Sequence, residues 1–214
     1  MTKAGTIKST NRYWLVGYLL INFLFFALLC GFIDFSQWNV AITKVLSPKS
    51  AASLFLYVLS IILEGIFSSD LKAVLVFWKI KNPLPGSRAF TDVASKDPRI
   101  DFEALKRIYS GKLPATPQEQ NTAWYSLYKK YAENKVVLES HRWFLLMRDM
   151  VALTVVLIPI NIIGYLILCI DIKIMYFHIL VLMGLYFLIS QASRNYGNRF
   201  VANVLVEAIS KSGN

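Results

Sequence analysis

Histidine and cysteine are scarce in this sequence, and their scarcity excludes several classes of site. Only two His and two Cys occur in 214 residues. His141 and His178 are too few for a His-rich metal site, and no CxxC or HExxH motif is present. The patterns GxSxG and GxxxxGK[ST], typical of hydrolase nucleophiles and phosphate-binding loops, are absent as well. The sequence therefore predicts a non-enzymatic protein with no cofactor and no metal site.

Charge is missing from three long stretches of the chain and almost missing from a fourth. Residues 13–32, 151–170 and 174–192 contain no Asp, Glu, Lys or Arg, and residues 51–67 contain Glu64 alone. About 20 helical residues, at 1.5 Å each, span the roughly 30 Å hydrocarbon core of a bilayer. Together with 56% hydrophobic residues and a mean hydropathy of +0.48, this pattern predicts an all-α polytopic membrane protein with four transmembrane helices and a helical cytoplasmic insert.

The first apolar run lies near the N-terminus but does not have the form of a signal peptide. It is too long, and Phe32, Ile33 and Asp34 follow it where small residues would mark a cleavage site.

The predicted segments are a cytoplasmic N-terminus at 1–12, a first transmembrane helix at 13–33, a periplasmic loop at 34–50, a second transmembrane helix at 51–69 with an extension to 78 as the alternative, a cytoplasmic helical insert at 70–147, a third transmembrane helix at 148–170, a periplasmic turn at 171–173, a fourth transmembrane helix at 174–192 and a cytoplasmic amphipathic tail at 193–214.

Lysine and arginine are distributed unevenly about these stretches. All but three of the 23 Lys and Arg residues fall on the side that holds both termini and the insert, the exceptions being Lys44, Lys49 and Lys173. Cytoplasmic flanks carry such an excess, so the pattern predicts a multi-pass protein of the cell inner membrane with both termini cytoplasmic. The net charge of +10 also favours contact with anionic lipid. Because acids are interspersed among the basic residues of the insert, no direct nucleic-acid binding is expected.

The insert carries start and stop signals for two helices. Asp97 before Pro98 is typical of a helix N-cap, and Gly111 follows the last good helical residue, which predicts a helix over 98–110. Thr116 and Glu119 have the spacing of a capping box.

The second of these helices is predicted to be long. No helix breaker occurs between Pro117 and Met147, so it is predicted to run directly into the third transmembrane helix. Apolar residues on both helices, among them Leu105 and Trp124, predict a helical hairpin that would be only marginally stable alone.

Two ionisable residues lie within the apolar stretches. Glu64 is near the cytoplasmic end of its stretch and is either a solvated helix-end residue or part of an ion path or interhelical pair. His178 lies a few residues into the fourth helix, where packing or an interhelical hydrogen bond is favoured over a transport path. Cys30 and Cys169 fall at similar depth, and free thiols in a packed interior are favoured over a disulfide.

Two short segments of the insert carry a family resemblance. Residues 84–90 (LPGSRAF) and 97–101 (DPRID) resemble small multi-pass membrane proteins of bacterial anti-phage defence systems, the nearest in kind being the transmembrane effector of a retron. The resemblance implies a toxin-like inner-membrane effector that a reverse transcriptase and its RNA or DNA keep silent. It assigns no functional residue.

The loop that holds these segments is the part of the insert where a regulatory partner is expected to bind, because loops carry binding residues more often than packed elements do. The candidate partner-binding residues are Arg88, Phe90, Asp97, Arg99 and Asp101. The preferred function is a membrane-perturbing effector of abortive infection, acting as a homo-oligomer in the bilayer.

Two other functions stay open from the sequence. The first is a non-catalytic membrane subunit of a transporter or complex. The second is a lipid-modifying enzyme built from residues at headgroup level, namely His141, Arg142, Arg148 and Asp149. Against the enzyme, the two Arg are accounted for equally well as ordinary positive-inside anchors.

Overall fold

The computed structural model describes residues 3–33 and 65–212, together with Phe55, Val58, Leu59 and Ile62. Within these residues every regular element is a helix. The predicted periplasmic loop at 34–50 and most of the predicted second transmembrane helix at 51–69, including Glu64, lie outside the described part of the chain.

Seven α-helices are described in that part of the chain. They are α1 (Lys3–Leu29), α2 (Ser69–Phe77), α3 (Ala94–Lys96), α4 (Phe102–Ile108), α5 (Pro117–Tyr131), α6 (Lys135–Ile167) and α7 (Ile172–Ser212). A 3₁₀ turn at Pro85–Arg88 and a π turn at Ala89–Val93 lead into α3. Three helices, α1 over Thr10–Leu29, α6 and α7, are long and apolar enough to cross a membrane.

The longest helices, α6 and α7, form an antiparallel hairpin. Near the connecting turn, Tyr165 faces His178, and far from it His141 stacks on Phe200 with ring centroids 4.5 Å apart. Below, the end of the hairpin beside residues 168–171 is called the turn end, and the opposite end is called the cap end. The hairpin places the first residues of α6 beside the last residues of α7.

Helix α1 packs along α6 and runs in the same direction. Three contacts in register show this: Asn11 Nδ2 donates to the Arg142 carbonyl at 3.0 Å, the Tyr18 and Thr154 hydroxyls lie 2.7 Å apart, and the rings of Phe26 and Tyr165 are 4.8 Å apart. Apolar residues of all three helices fill the space between them, including Phe23, Leu157 and Leu182. The N-terminus of α1 therefore lies toward the cap end, and Leu29 lies toward the turn end.

Residues 69–131, called the cap, pack against the cap end of the hairpin. Their shared core combines residues from the cap, such as Phe90, Leu105 and Trp124, with Phe144 of α6 and Phe200 of α7. Both predicted insert helices contribute to this core, but they pack on α7 more than on each other, so the predicted helical hairpin was wrong.

Glycine allows the closest approach between the cap and the hairpin. A Cβ atom at Gly197 of α7 would lie 2.9 Å from Phe77 Cζ and 3.0 Å from Phe144 Cε2. Within the cap, a Cβ at Gly86 would lie 2.6 Å from Trp124 Cε3. At both positions the shortest distance is below what carbon atoms tolerate, so neither position accepts a larger residue without movement of the aromatic rings.

The first insert helix begins later than its sequence signals indicate. The prediction that Asp97 caps a helix over 98–110 was wrong. Asp101 is the N-cap, since its Oδ1 accepts from the backbone N–H groups of Glu103 and Ala104, and the helix covers Phe102–Ile108. Asp97 is held by Arg99 instead. Gly111 does follow the helix end in the left-handed region, with φ +88°.

The second insert helix begins as predicted but ends early. Its capping box is confirmed, because Thr116 Oγ1 accepts from the Glu119 N–H and the Glu119 carboxylate accepts from the Thr116 N–H. The continuous helix predicted from 117 into the third span was wrong. The chain breaks after Tyr131, and Asn134 caps α6 by accepting from two backbone N–H groups. The N-cap residue Asn134 thus starts a new helix within a stretch, 118–147, that contains neither Pro nor Gly.

Two further boundaries differ from the prediction. The extension of the second span to 78 is interrupted, because Ser68 is extended and caps α2 through a hydrogen bond to the Leu71 N–H. The tail at 193–214 is helical over its described residues, but it is the continuous end of α7 and not a separate element. Its apolar face is covered by the cap, so burial of residues such as Val201 and Leu205 extends the helix.

Candidate functional site

The cap contacts both helices of the hairpin through α2, which lies across α6 and α7. This contact, formed by residues 72–78 with Arg148, Asp149, Tyr186 and Arg194, is called the joint. On its α6 side, Lys72 Nζ lies 3.3 Å from Asp149 Oδ1, and the same oxygen accepts from Arg148 Nη2 at 3.0 Å. The Lys72 and Asp149 side chains are only 10% and 21% exposed. One sheltered carboxylate therefore holds a cation of the cap and a cation of α6.

On the α7 side, the joint satisfies the last carbonyl groups of α2. Arg194 Nε donates to the Val76 carbonyl at 2.6 Å, and the Tyr186 hydroxyl donates to the Leu75 carbonyl at 2.9 Å. The last carbonyls of a helix have no partner inside it, so side chains of α7 take that role here.

Trp78 completes the α7 side of the joint. It ends α2 in the left-handed region, with φ 54°, and its Nε1 donates to the Tyr186 hydroxyl at 2.8 Å. The Arg194 guanidinium lies 3.6 Å from the centre of its ring, within the range of a cation–π contact. Helix α2 is thus fixed at both ends by polar contacts.

The joint lies where the hairpin changes from charged to uncharged. Arg148 and Asp149 are the last charged residues of α6, since residues 150–167 carry none. Arg194 is the first charged residue of α7 after the uncharged run that follows Lys173. The joint therefore couples the cap to the apolar helices at the point where those helices would leave a bilayer.

Three of the five predicted partner-binding residues have structural roles. Phe90 is 2% exposed and packs against Tyr109, so its prediction as a partner-binding residue was wrong. Arg88 lies over the Phe77 ring at 4.5 Å, and burial lowers its pKa. Asp101 is occupied as the N-cap of α4. The sequence motif at 84–90 is therefore a folding element of the cap.

The other two candidates, Asp97 and Arg99, do lie together at the surface. Arg99 donates from Nε and Nη2 to the two carboxylate oxygens of Asp97 at 2.9 and 2.7 Å, and from Nη1 to Asn203 of α7 at 3.1 Å. The guanidinium lowers the pKa of the Asp97 carboxyl through these hydrogen bonds. The pair lines a surface groove with Asn198 and Arg199.

The apolar part of the hairpin contains the predicted polar residue His178. It is fully buried, and the Tyr165 hydroxyl lies 2.8 Å from its Nδ1, which confirms the predicted interhelical hydrogen bond. The ring also packs edge-on against Phe25 of α1 at 5.0 Å, so His178 contacts all three apolar helices. Cys30 and Cys169 are both free thiols.

The four residues considered for a lipid enzyme are not gathered into one cluster. His141 is occupied by the cap, since Nδ1 lies 3.1 Å from the Tyr128 hydroxyl and the ring stacks on Phe200. Arg148 and Asp149 belong to the joint, about two helical turns away. Arg142 lies over the Trp143 ring at 5.2 Å.

Sequence reasoning considered Arg148 and Asp149 only for a lipid enzyme and missed the joint that they form with α2. The signal that could have revealed it is Ser68-Ser69-Asp70, an N-cap pattern that predicts a new helix in place of a continued span. Among the described residues no group of three or more His, Cys, Asp or Glu could hold a metal ion. The joint ties the cap to α6 and α7 by polar side-chain contacts. No protein-family model, no curated protein and no solved structure matches this chain.

Proposed function

We propose that this is a non-enzymatic integral membrane protein whose cap controls its membrane helices, and that it acts as the membrane-perturbing effector of a bacterial antiviral system. The observation that carries the proposal is the length of the hairpin. With 33 and 41 residues, α6 and α7 are about 50 and 60 Å long, roughly twice the hydrocarbon thickness. Each helix is therefore long enough to extend beyond the bilayer and to pack against the cap without a break. The joint connects the cap to both helices.

A fourth crossing is part of this proposal, and the positions at which the described helices begin and end support it. Helix α1 ends toward the turn end of the hairpin, whereas α2 begins at the joint, toward the cap end. With α1, α6 and α7 in the bilayer, we propose a return crossing between residues 33 and 69, through the apolar stretch 51–67. The excess of Lys and Arg at the cap end favours a cytoplasmic cap in the inner membrane.

Cysteine labelling in whole cells tests this topology. In a Cys30→Ser/Cys169→Ser background, Lys44→Cys and Lys173→Cys are expected to react with a membrane-impermeant maleimide in intact spheroplasts, and Lys112→Cys only after lysis. Labelling of all three after lysis is the control for reactivity. Labelling of Lys44→Cys and Lys173→Cys on opposite sides would contradict four crossings, and labelling of Lys112→Cys in intact spheroplasts would contradict a cytoplasmic cap.

The antiviral role is supported by the resemblance of residues 84–90 and 97–101 to retron effectors and by a cap able to transmit a signal. A reverse transcriptase with its RNA or DNA is the proposed partner of the cap, with the Asp97–Arg99 groove as its contact surface. The role as a membrane subunit is the second candidate. The exposure of α7 favours this second role. Only 17% of the most apolar stretch of α7 is buried, which leaves a surface for a second copy or another subunit.

Membrane potential is the readout that tests the effector role. Expression of the chain without its partner is expected to depolarise the inner membrane, as followed with a potential-sensitive dye, and co-expression of the reverse transcriptase and its RNA is expected to prevent this until phage infection. An unchanged potential under all these conditions would contradict the effector. Altered uptake of a single solute would favour the subunit, and loss of a lipid product on Arg142→Ala/Asp149→Ala substitution would favour the enzyme.

A further inference from the structure

The loop that leaves α2 exposes two large apolar side chains between lysines. Trp78 is 53% exposed and Ile80 is 87% exposed, the latter flanked by Lys79 and Lys81. An isolated exposed Leu or Ile is common on soluble proteins. Here, however, apolar and cationic residues alternate over four positions, 78–81, which are called the wedge.

The wedge continues an apolar surface of α7. The Trp78 ring meets Phe187 edge-on at 5.7 Å, and Phe187 and Leu188 are 51% and 71% exposed within the uncharged part of α7. Those two side chains face lipid in the proposed topology. Trp78 therefore extends the lipid-facing surface sideways from α7 toward Ile80, at the level where the hairpin changes from uncharged to charged.

The wedge is held in place by its neighbours. Trp78 is bonded to Tyr186 and covered by Arg194, as described for the joint. After the wedge, Asn82 adopts φ 50° and its side chain accepts from Gln118 Nε2 of α5 at 3.2 Å, and Pro83 follows. A short segment fixed at both ends presents its side chains without a further ordering cost.

We propose that the wedge is an interfacial lipid-binding element that seats the cap on the cytoplasmic leaflet and selects anionic phospholipids. Trp78 and Ile80 enter the boundary between headgroups and acyl chains, where Trp is favoured, and Lys79 and Lys81 bind lipid phosphates. Each lysine near an anionic surface strengthens the contact about fivefold. This inference rests on the proposed membrane placement of α7 and adds a lipid specificity to it.

Depth-dependent quenching of a label in the full-length protein tests the wedge. In the Cys30→Ser/Cys169→Ser background, an NBD label is attached at Ile80→Cys, at Leu180→Cys in the middle of α7, or at Tyr125→Cys on the surface of α5. Each protein is placed in phosphatidylcholine nanodiscs that contain doxyl-labelled lipid as the quencher. The fraction of phosphatidylglycerol is then increased from one sample to the next. We expect quenching at 180 throughout, quenching at 80 that increases with phosphatidylglycerol, and none at 125. The neighbour of Tyr125, Trp124, contacts α7 at Phe200 and Val201, about 10 Å beyond Arg194.

Charge-matched variants test the lipid selectivity. Lys79→Gln/Lys81→Gln is expected to lower the ratio of inserted to free wedge about 25-fold and to abolish the response to phosphatidylglycerol. Lys112→Gln/Lys135→Gln removes the same charge elsewhere and is expected to respond like the parent. An unquenched label at 80 beside a quenched one at 180 would overturn the wedge alone, whereas an unquenched label at 180 would overturn the membrane placement itself. An unaltered response in the Lys79→Gln/Lys81→Gln protein would overturn the selectivity.

Discussion

Replacing Trp124 with Ala is expected to unfold the cap while α1, α6 and α7 stay in the membrane. Trp124 is 7% exposed, its Nε1 donates to the Val201 carbonyl of α7 at 3.3 Å, and its ring contacts Phe200 edge-on at 5.2 Å. Gly86 packs directly against it. Removing so large a side chain from a packed core costs about 3–5 kcal/mol. Because a unit the size of the cap has little stability of its own, this loss is comparable to the total.

Limited proteolysis of native membranes measures the effect. The Trp124→Ala protein is expected to be cut within residues 79–131 at protease concentrations that leave the parent intact, and the α6–α7 hairpin is expected to remain as a membrane-bound fragment. Tyr125→Ala is the matched control, since Tyr125 is the next residue but is 47% exposed. Its cost is expected to stay below about 1 kcal/mol. Equal protection of Trp124→Ala and the parent would show that the cap core does not depend on this contact.

The contacts of Trp124 illustrate what the sequence could predict. Its placement on an inward-facing helix followed from local signals, because the capping box at Thr116 and Glu119 and the apolar spacing are both short-range. Its partners Val201 and Phe200 are more than 70 positions away, and no local pattern identifies them. The apolar runs of α1, α6 and α7 could be predicted for the same reason as the capping box. Length and hydropathy, like capping, depend only on residues within one segment of the chain.

Competition between equivalent signals explains the wrong start predicted for the first insert helix. Asp97 and Asp101 are both suitable N-caps, and Pro98 favoured the first. The structure uses the second because Asp97 is paired with Arg99, whose guanidinium also reaches Asn203 of α7. A tertiary contact thus decided between two local options.

The joint was missed because it depends on pairs distant in the sequence. Lys72 and Asp149 are 77 positions apart, and Trp78 and Tyr186 are 108 apart. Each of these residues has an ordinary interpretation in isolation, as a flanking charge or an interfacial aromatic. Only the antiparallel pairing of α6 and α7, with α2 across them, brings these residues together.

Asp149→Ala is expected to detach α2 from the hairpin, the second large effect. The substitution takes away the carboxylate that Lys72 and Arg148 share. Breaking a fully buried pair costs about 3–5 kcal/mol. Since the Asp149 side chain is 21% exposed, solvent lowers the expected cost to about 2–3 kcal/mol. Amide hydrogens of α2 exchange through local opening, so their exchange in nanodiscs is expected to become about 30- to 150-fold faster.

Asp92→Ala is the control for loss of an acid from the cap. Asp92 pairs with Arg88 and Lys96, four residues before and after it, and its side chain is 40% exposed, so the expected cost is below about 1 kcal/mol, with no change in α2 exchange. If the joint transmits the silencing signal, Asp149→Ala cells depolarise even when the regulatory partner is present, whereas Asp92→Ala cells behave like the parent. Faster α2 exchange with intact silencing would separate the joint from regulation and leave it as a purely structural contact. Unchanged exchange would contradict the role of the ion pair itself.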